Sequence, residues 1–200
     1  QINDLFELPA GSAAMVVGYE GFDNIYSAQY DKHSEGGYVG GSAGNSGKGT
    51  RSVDSYFGEI LIPIATGLEL NAAVRSDDYD DVGGNDSYKV GVLWAGNKGT
   101  TIKANTGTGF RAPTMDTLYG VTTFSANTAT DYLACANAGI SQSECASKQV
   151  STLITSNPNL GAESSDSTVF SISQDLGELT PALDGVSVRL DWYNIAMEDL

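Results

Sequence analysis

Thr108-Gly109-Phe110-Arg111-Ala112-Pro113 decides how this chain is read: it closes one strongly alternating segment, and a second opens after Asn157-Pro158-Asn159-Leu160. Just before the first motif, Ile102, Ala104 and Thr106 oppose Lys103 and Asn105. A period of two puts successive side chains on opposite faces, which is strand. Val90, Val92 and Trp94 oppose Lys89 and Gly91 in the same way, and Leu68-Glu69-Leu70-Asn71-Ala72-Ala73-Val74-Arg75 is apolar at even positions. Beyond the second motif, Val186, Val188, Leu190 and Trp192 oppose Ser187, Arg189, Asp191 and Tyr193. We read strands at about 2–9, 13–27, 54–64, 68–76, 87–96, 100–110, 166–176 and 185–199, eight antiparallel neighbours in a meander.

Composition agrees with strands and turns. The 200 residues hold 24 glycines and ten tyrosines, and 40% are hydrophobic. The net charge of −15, from 10 Lys and Arg against 25 Asp and Glu, repels nucleic-acid phosphates, and no basic stripe reverses it. No apolar run reaches the ~18 residues of a membrane helix, but a barrel strand needs only about 9 to 11 and escapes such a scan. Gln1-Ile2-Asn3 shows no initiating Met and no charged or apolar region of a secretion signal, so any signal is expected upstream.

Alternation alone fits a soluble sandwich with its apolar face inward as well as a membrane barrel with that face outward. Connection length separates them. Tight links at 10–12, 65–67 and 97–99 alternate with long ones at about 27–54, 76–87 and 110–166, and the moderate link 177–184 takes the next short place. An up-and-down barrel sorts short turns to one rim and long loops to the other, whereas Greek-key crossovers have no reason to. One register also keeps Arg75, Lys89, Lys103 and Arg189 off the lipid face, where each would cost roughly 2 to 4 kcal/mol at mid-membrane. Trp94 and Tyr56 fall where an aromatic girdle would sit.

The two motifs together resemble the barrel of TonB-dependent outer-membrane receptors, in which a strand ends T-G-F-R-A-P before L-Y and N-P-N-L with a following Glu precedes the next strand. The residues carrying the likeness are Gly109, Phe110, Arg111, Ala112, Pro113, Leu118, Tyr119, Asn157, Pro158, Asn159, Leu160 and Glu163. Thr117 replaces the family's acidic residue before Leu118-Tyr119, and the proline before Glu163 is missing. The resemblance implies an all-β, antiparallel up-and-down transmembrane barrel segment: about eight strands of a larger, roughly 22-stranded barrel, with plug and barrel ends outside these residues. It further implies a receptor that captures a scarce nutrient (ferric siderophore, haem, cobalamin or oligosaccharide), energised by TonB through the absent plug and surrounded by outer-membrane lipid and lipopolysaccharide. The competing reading is a secreted or surface-exposed adhesin-like β domain with an apolar core.

Long loops on a rigid wall carry ligand selection, so Tyr119, Phe124, Asn127 and Tyr132 are weak candidate contacts, ordinary loop packing being the favoured reading, while Arg111 is expected to order the strand's rim. Cys135 and Cys145, ten positions apart, suit a local disulfide in an oxidising compartment, with two free thiols as the alternative. A zinc site lacks ligands, with His33 the sole histidine. No cofactor, metal or catalytic residue is expected. Gly107-Thr108-Gly109-Phe110-Arg111-Ala112 matches a dinucleotide fingerprint only in letters, since no helix pattern follows. The acidic run 77–86 puts Lys89 where an EF-hand needs Glu, and is read as a solvated hairpin tip, with a looser divalent-cation or lipopolysaccharide contact as the alternative. His33 is read as an exposed loop residue, and the glycine-rich stretch 40–49 as a mobile loop tip rather than a phosphate loop.

Overall fold

The computed structural model describes residues 2–36, 38–39 and 46–199. Two compact units divide the chain: a wall unit of Gln1–Asp23, Arg51–Pro113 and Gly161–Leu200, and a loop unit of Asn24–Thr50 and Thr114–Leu160.

One antiparallel sheet of seven strands dominates: β3 (Ala14–Ala28), β4 (Gly47–Ala65), β5 (Leu68–Tyr79), β6 (Gly83–Ala95), β7 (Thr100–Arg111), β10 (Glu163–Asp175) and β11 (Ser187–Glu198). They lie in the order β11-β10-β7-β6-β5-β4-β3, so sequence neighbours within the sheet are also spatial neighbours. The sheet does not close on itself within the chain. Connections fall on two rims. The lower carries 66–67, 96–99 and 176–186; the upper carries 80–82, the end of β7 and the start of β10. Gly67 makes the tightest lower turn at φ +74°, where a Cβ would lie 2.3 Å from the Ala95 carbonyl oxygen.

Register assigns every sheet residue a face. In β4 to β7, β10 and β11, Arg75, Lys89, Lys103 and Arg189 share one face, set by the partner sets Arg75↔Ser87, Lys89↔Gly107, Lys103↔Ser171 and Arg189↔Ser173. The opposite face bears an apolar band whose central row runs Ile62, Leu70, Val92, Ala104, Phe170, Trp192. Leu190, at 68% exposure, and Val92, at 38%, face outward rather than into a dry centre. Among the described residues only Ala13, Val53 and Leu118 are buried hydrophobics. Among the described residues the apolar band is exposed and packs into no buried core, unlike the inward apolar face of a sandwich.

Three strand expectations need correction. Residues 2–9 do not add an eighth sheet strand; they fold back as a short hairpin, β1 (Glu7–Leu8) with β2 (Gly11–Ser12), plus an isolated bridge from Ile2 to Met15. Ile2, Leu5, Phe6 and Leu8 break the alternation, Asp4 takes a positive φ of 59°, and Pro9 lacks a ladder donor. The long loop expected at 76–87 is a three-residue tip at 80–82, because β5 and β6 pair as far as Tyr79↔Gly83. Similarly β4 begins at Gly47 and runs 19 residues. Strands of 12 to 19 residues outlast the ~9 to 11 that cross a bilayer. Beyond that length the ladder continues although the hydrophobic period that would reveal it disappears. Of the glycine-rich stretch 40–49, residues 40–45 lie outside the described residues, and Gly47–Gly49 open β4.

In the loop unit, α1 (Lys32–Glu35), α2 (Met115–Tyr119) and α3 (Tyr132–Asn137) accompany a two-stranded ribbon, β8 (Thr123–Ala129) with β9 (Lys148–Ile154).

Candidate functional site

Cations on the inward face are held mostly by carboxylates two residues along the same strand, on another strand of the sheet or at the β5–β6 tip. Arg51, the first inward residue of β4 in the wall unit, donates from Nε to both oxygens of Asp81 at 3.0 and 2.8 Å. Its Nη2 donates to the Pro113 carbonyl at 2.8 Å, and its guanidinium stacks 5.5 Å from the centre of the Tyr79 ring. Tyr79 in turn meets Phe110 edge-on. A single arginine thus ties β4 to the β5–β6 tip and to the end of the T-G-F-R-A-P motif. Both charged side chains are 8% exposed, so Asp81 is paired within the tip, while Asp78, Asp80 and Asp86 of the acidic run are exposed.

A second cluster lies lower on the same face. Arg75 donates from Nε to Asp77 at 2.8 Å and from Nη2 to Glu20 at 3.0 Å, and covers the Phe57 ring. Ser55, fully buried, donates its hydroxyl to Asp77, itself buried. Phe57 reaches this position because Gly18 has no side chain: a Cβ there would lie 2.3 Å from Phe57 Cζ. Asn71 donates to Glu59 at 2.7 Å, and Arg189 pairs with Asp191 at 2.8 Å. Among the described residues Lys89 and Lys103 have no ion pair. The inward wall is therefore a charged, hydrogen-bonding surface, suited to ions, polar solutes or a polar protein segment.

The motif residues do structural work. Arg111 and Glu163 are direct cross-strand partners, and Arg111 Nη2 donates to Glu163 Oε1 at 2.6 Å, fixing where β7 and β10 part. Asn157, within the loop unit, donates its N–H to the Thr117 carbonyl at 2.9 Å and accepts from the Asn159 N–H on its side-chain oxygen at 3.1 Å. N-P-N-L is thus a side-chain-closed turn pinned to α2, whose Leu118 is buried.

The four candidate ligand contacts are spread over α2, β8 and α3. Tyr119 packs over Gly49, where a Cβ would lie 2.4 Å from its ring. Phe124 and Asn127, three residues apart on β8, point to opposite faces of the ribbon; Asn127 accepts from Ser125. Phe124 and Tyr132 are exposed. Cys135 and Cys145 are disulfide-bonded with Cα atoms 5.9 Å apart. His33 lies in α1, beneath the cap made by Asp31, whose carboxylate accepts from Ser34 Oγ and from the Ser34 and His33 N–H groups. The Ser34 bonds above all hold the Asp31 carboxyl below its ordinary 3.8. Arg51, Glu20 and Ser55 were not legible as site residues; only their place in the alternating phase could have suggested an inward face.

Apolar outside, charged inside and meandering throughout, this is the wall of a transmembrane β-barrel. The chain belongs to the TonB dependent receptor-like, beta-barrel family, whose model matches residues 2–200. Among solved structures, the ferric enterobactin receptor from Pseudomonas aeruginosa, as a variant in complex with enterobactin, aligns at a TM-score of 0.69 and 21% identity, covering 98% of this chain and 26% of that one. The siderophore receptor PirA from Acinetobacter baumannii aligns at 0.69 and 18%, covering 99% and 26%. PirA from Pseudomonas aeruginosa aligns at 0.62 and 19%, covering 93% and 29%. The chain spans about a quarter of the length of these structures. All are receptors, not enzymes.

Proposed function

We propose that this chain is a stretch of barrel wall with its loops in an outer-membrane receptor that takes up a small scarce nutrient, with TonB supplying the energy through a plug that lies outside these residues. The observation that carries the reading is the family match over residues 2–200, on a sheet whose inward cations and outward apolar band suit a polar lumen in a lipid surround. In this reading the upper rim is extracellular and the lower rim periplasmic. Siderophore is the favoured cargo class, since the solved neighbours are siderophore receptors. Haem, cobalamin and oligosaccharide are the other classes to test. Phe124 and Tyr132 are the exposed loop aromatics available to stack on a chelate ring; Tyr119 and Asn127 are engaged within the loop unit.

The test is growth and radiolabelled iron uptake by a strain deleted for the receptor, across a panel of siderophores under iron limitation, with haem, cobalamin and oligosaccharide as parallel arms. Loss of uptake for one compound, reproduced by deleting TonB, supports the reading. Unchanged uptake in every arm, with the receptor demonstrably expressed in the parent, overturns it.

A further inference from the structure

The sheet of the wall unit is not knit equally along its height. β6 runs up to Gly83 and β7 up to Arg111, but the ladder between them ends at Lys89↔Gly107. Above that row each strand keeps only its other neighbour. Gly83 to Tyr88 stay paired with Tyr79 to Val74 of β5, and Thr108 to Arg111 with Asp166 to Glu163 of β10. Among the described residues no rung joins β6 to β7 above Gly107, so a seam splits the upper wall.

Gly107 is the apex of the seam. It presses so close to β6 that a Cβ would lie 2.6 Å from the Tyr88 carbonyl oxygen. At the first missing rung the Thr108 hydroxyl stands in for a carbonyl, accepting the Tyr88 N–H at 3.1 Å. Alternate residues of a strand bond to the same side, so the N–H groups of Asp86 and Gly84 also point toward β7 and meet no rung there. The seam begins where the apolar band runs out: outward positions of β6 are Trp94, Val92, Val90 and Tyr88 below it, but Asp86 and Gly84 above, beside Ser76 and Asp78 of β5. Unpaired backbone is costly against hydrocarbon and is satisfied by water beyond it.

Side chains close what the ladder leaves open. Arg51 holds Asp81, at the tip of the β5–β6 hairpin, and the Pro113 carbonyl, just past β7, and so spans both lips of the seam. Tyr79 of β5 meets Phe110 of β7 edge-on, with ring centres 5.9 Å apart. Arg111 and Glu163, by contrast, tie two strands whose ladder is intact. Contacts of the first kind can part without breaking a rung.

We propose that the seam is a lateral gate in the barrel wall: the β5–β6 hairpin and the β7–β10 pair separate above Gly107, and Arg51 is the latch that holds them together.

The test is pulsed electron paramagnetic resonance on the full-length receptor in lipid nanodiscs. Spin labels on Asp86→Cys and Ser164→Cys, exposed positions of β6 and β10, span the seam. A control pair on Val90→Cys and Thr168→Cys is joined through Thr106 by two intact ladders. Cys135 and Cys145, being bonded to each other, take no label. With Arg51 in place each pair should give one narrow distance. Arg51→Ala should add a longer-distance population to the seam pair alone, and Phe110→Ala a smaller one. No added population in either variant overturns the latch, and equal broadening of both pairs shows that Arg51 merely stabilises the sheet, which overturns it too. Hydrogen exchange in the unsubstituted receptor tests the seam without any variant: the Gly84 and Asp86 amides should exchange on the order of a hundredfold faster than those of Val90 and Val92, which face the same strand across an intact ladder. Equal protection at the four positions would overturn the gate.

Discussion

Placing one arginine at either of two adjacent positions of β10 tests the orientation of the wall directly. Phe170 pairs with Ala104 and Trp192 in the central row of the apolar band, whereas Val169 pairs with Asn105 and Tyr193 on the charged face. Phe170→Arg puts a guanidinium against hydrocarbon near mid-membrane, a penalty of about 2 to 4 kcal/mol that lowers the folded-to-unfolded ratio about 30- to 700-fold. Val169→Arg puts the same group into the hydrated interior, where lumen-facing substitutions leave membrane stability nearly unchanged. The assay is equilibrium urea unfolding of the full-length receptor in lipid vesicles, followed by heat-modified gel mobility so that Trp192 is not the reporter. Equal penalties at the two positions, or the larger one at 169, would refute the assignment of faces.

Arg51→Ala should destabilise the receptor by about 3 kcal/mol, since it strands a buried carboxylate at Asp81; in thermal melts the double variant with Asp81→Ala should recover part of that loss, and identical losses would show that the stranded charge is not the cause. Reducing Cys135–Cys145 removes a constraint worth about 3 kcal/mol for so short a loop, so proteolysis within 131–147 should accelerate by on the order of a hundredfold while the wall stays intact. An unchanged cleavage rate would mean the bridge does not hold that segment. Because the Asp31 carboxyl is held below 3.8 in the folded chain, its cap on α1 contributes at pH values above that and is lost as pH falls through the lowered value. An NMR titration of the Ser34 amide should therefore show its midpoint below 3.8, and a midpoint at or above it would contradict the capping geometry.

Much of the wall was legible because membrane burial writes a strict two-residue period. Leu70, Val92 and Leu190 announced the outward face, and the four cations at 75, 89, 103 and 189 announced the other. Legibility stopped where the bilayer stops. Asp77 to Asp86 carries no apolar alternation, so a paired hairpin resembled a loop, and nothing local indicated that Arg51, some thirty positions away, would claim Asp81. At the opposite end, Ile2 to Leu8 was hydrophobic enough to pass for a strand, yet its spacing and Pro9 forbid a full ladder. The paired motifs gave the family, but they serve the rim's architecture: Arg111 to Glu163 and Asn157 to Thr117 are ties between segments. The exposed loop side chains Phe124 and Tyr132 left no such trace, because scattered surface residues have no period.

Alternation around this wall separates two demands that most proteins must satisfy with the same atoms. In β4 to β7, β10 and β11 even-numbered positions form the apolar face and odd-numbered ones the charged face. Exchanging Asn71, Asn105 or Lys103 for other polar groups would rewrite the second without touching the first. A wall built this way can change one surface by altering every second letter and leaving the rest of the strand as it stands.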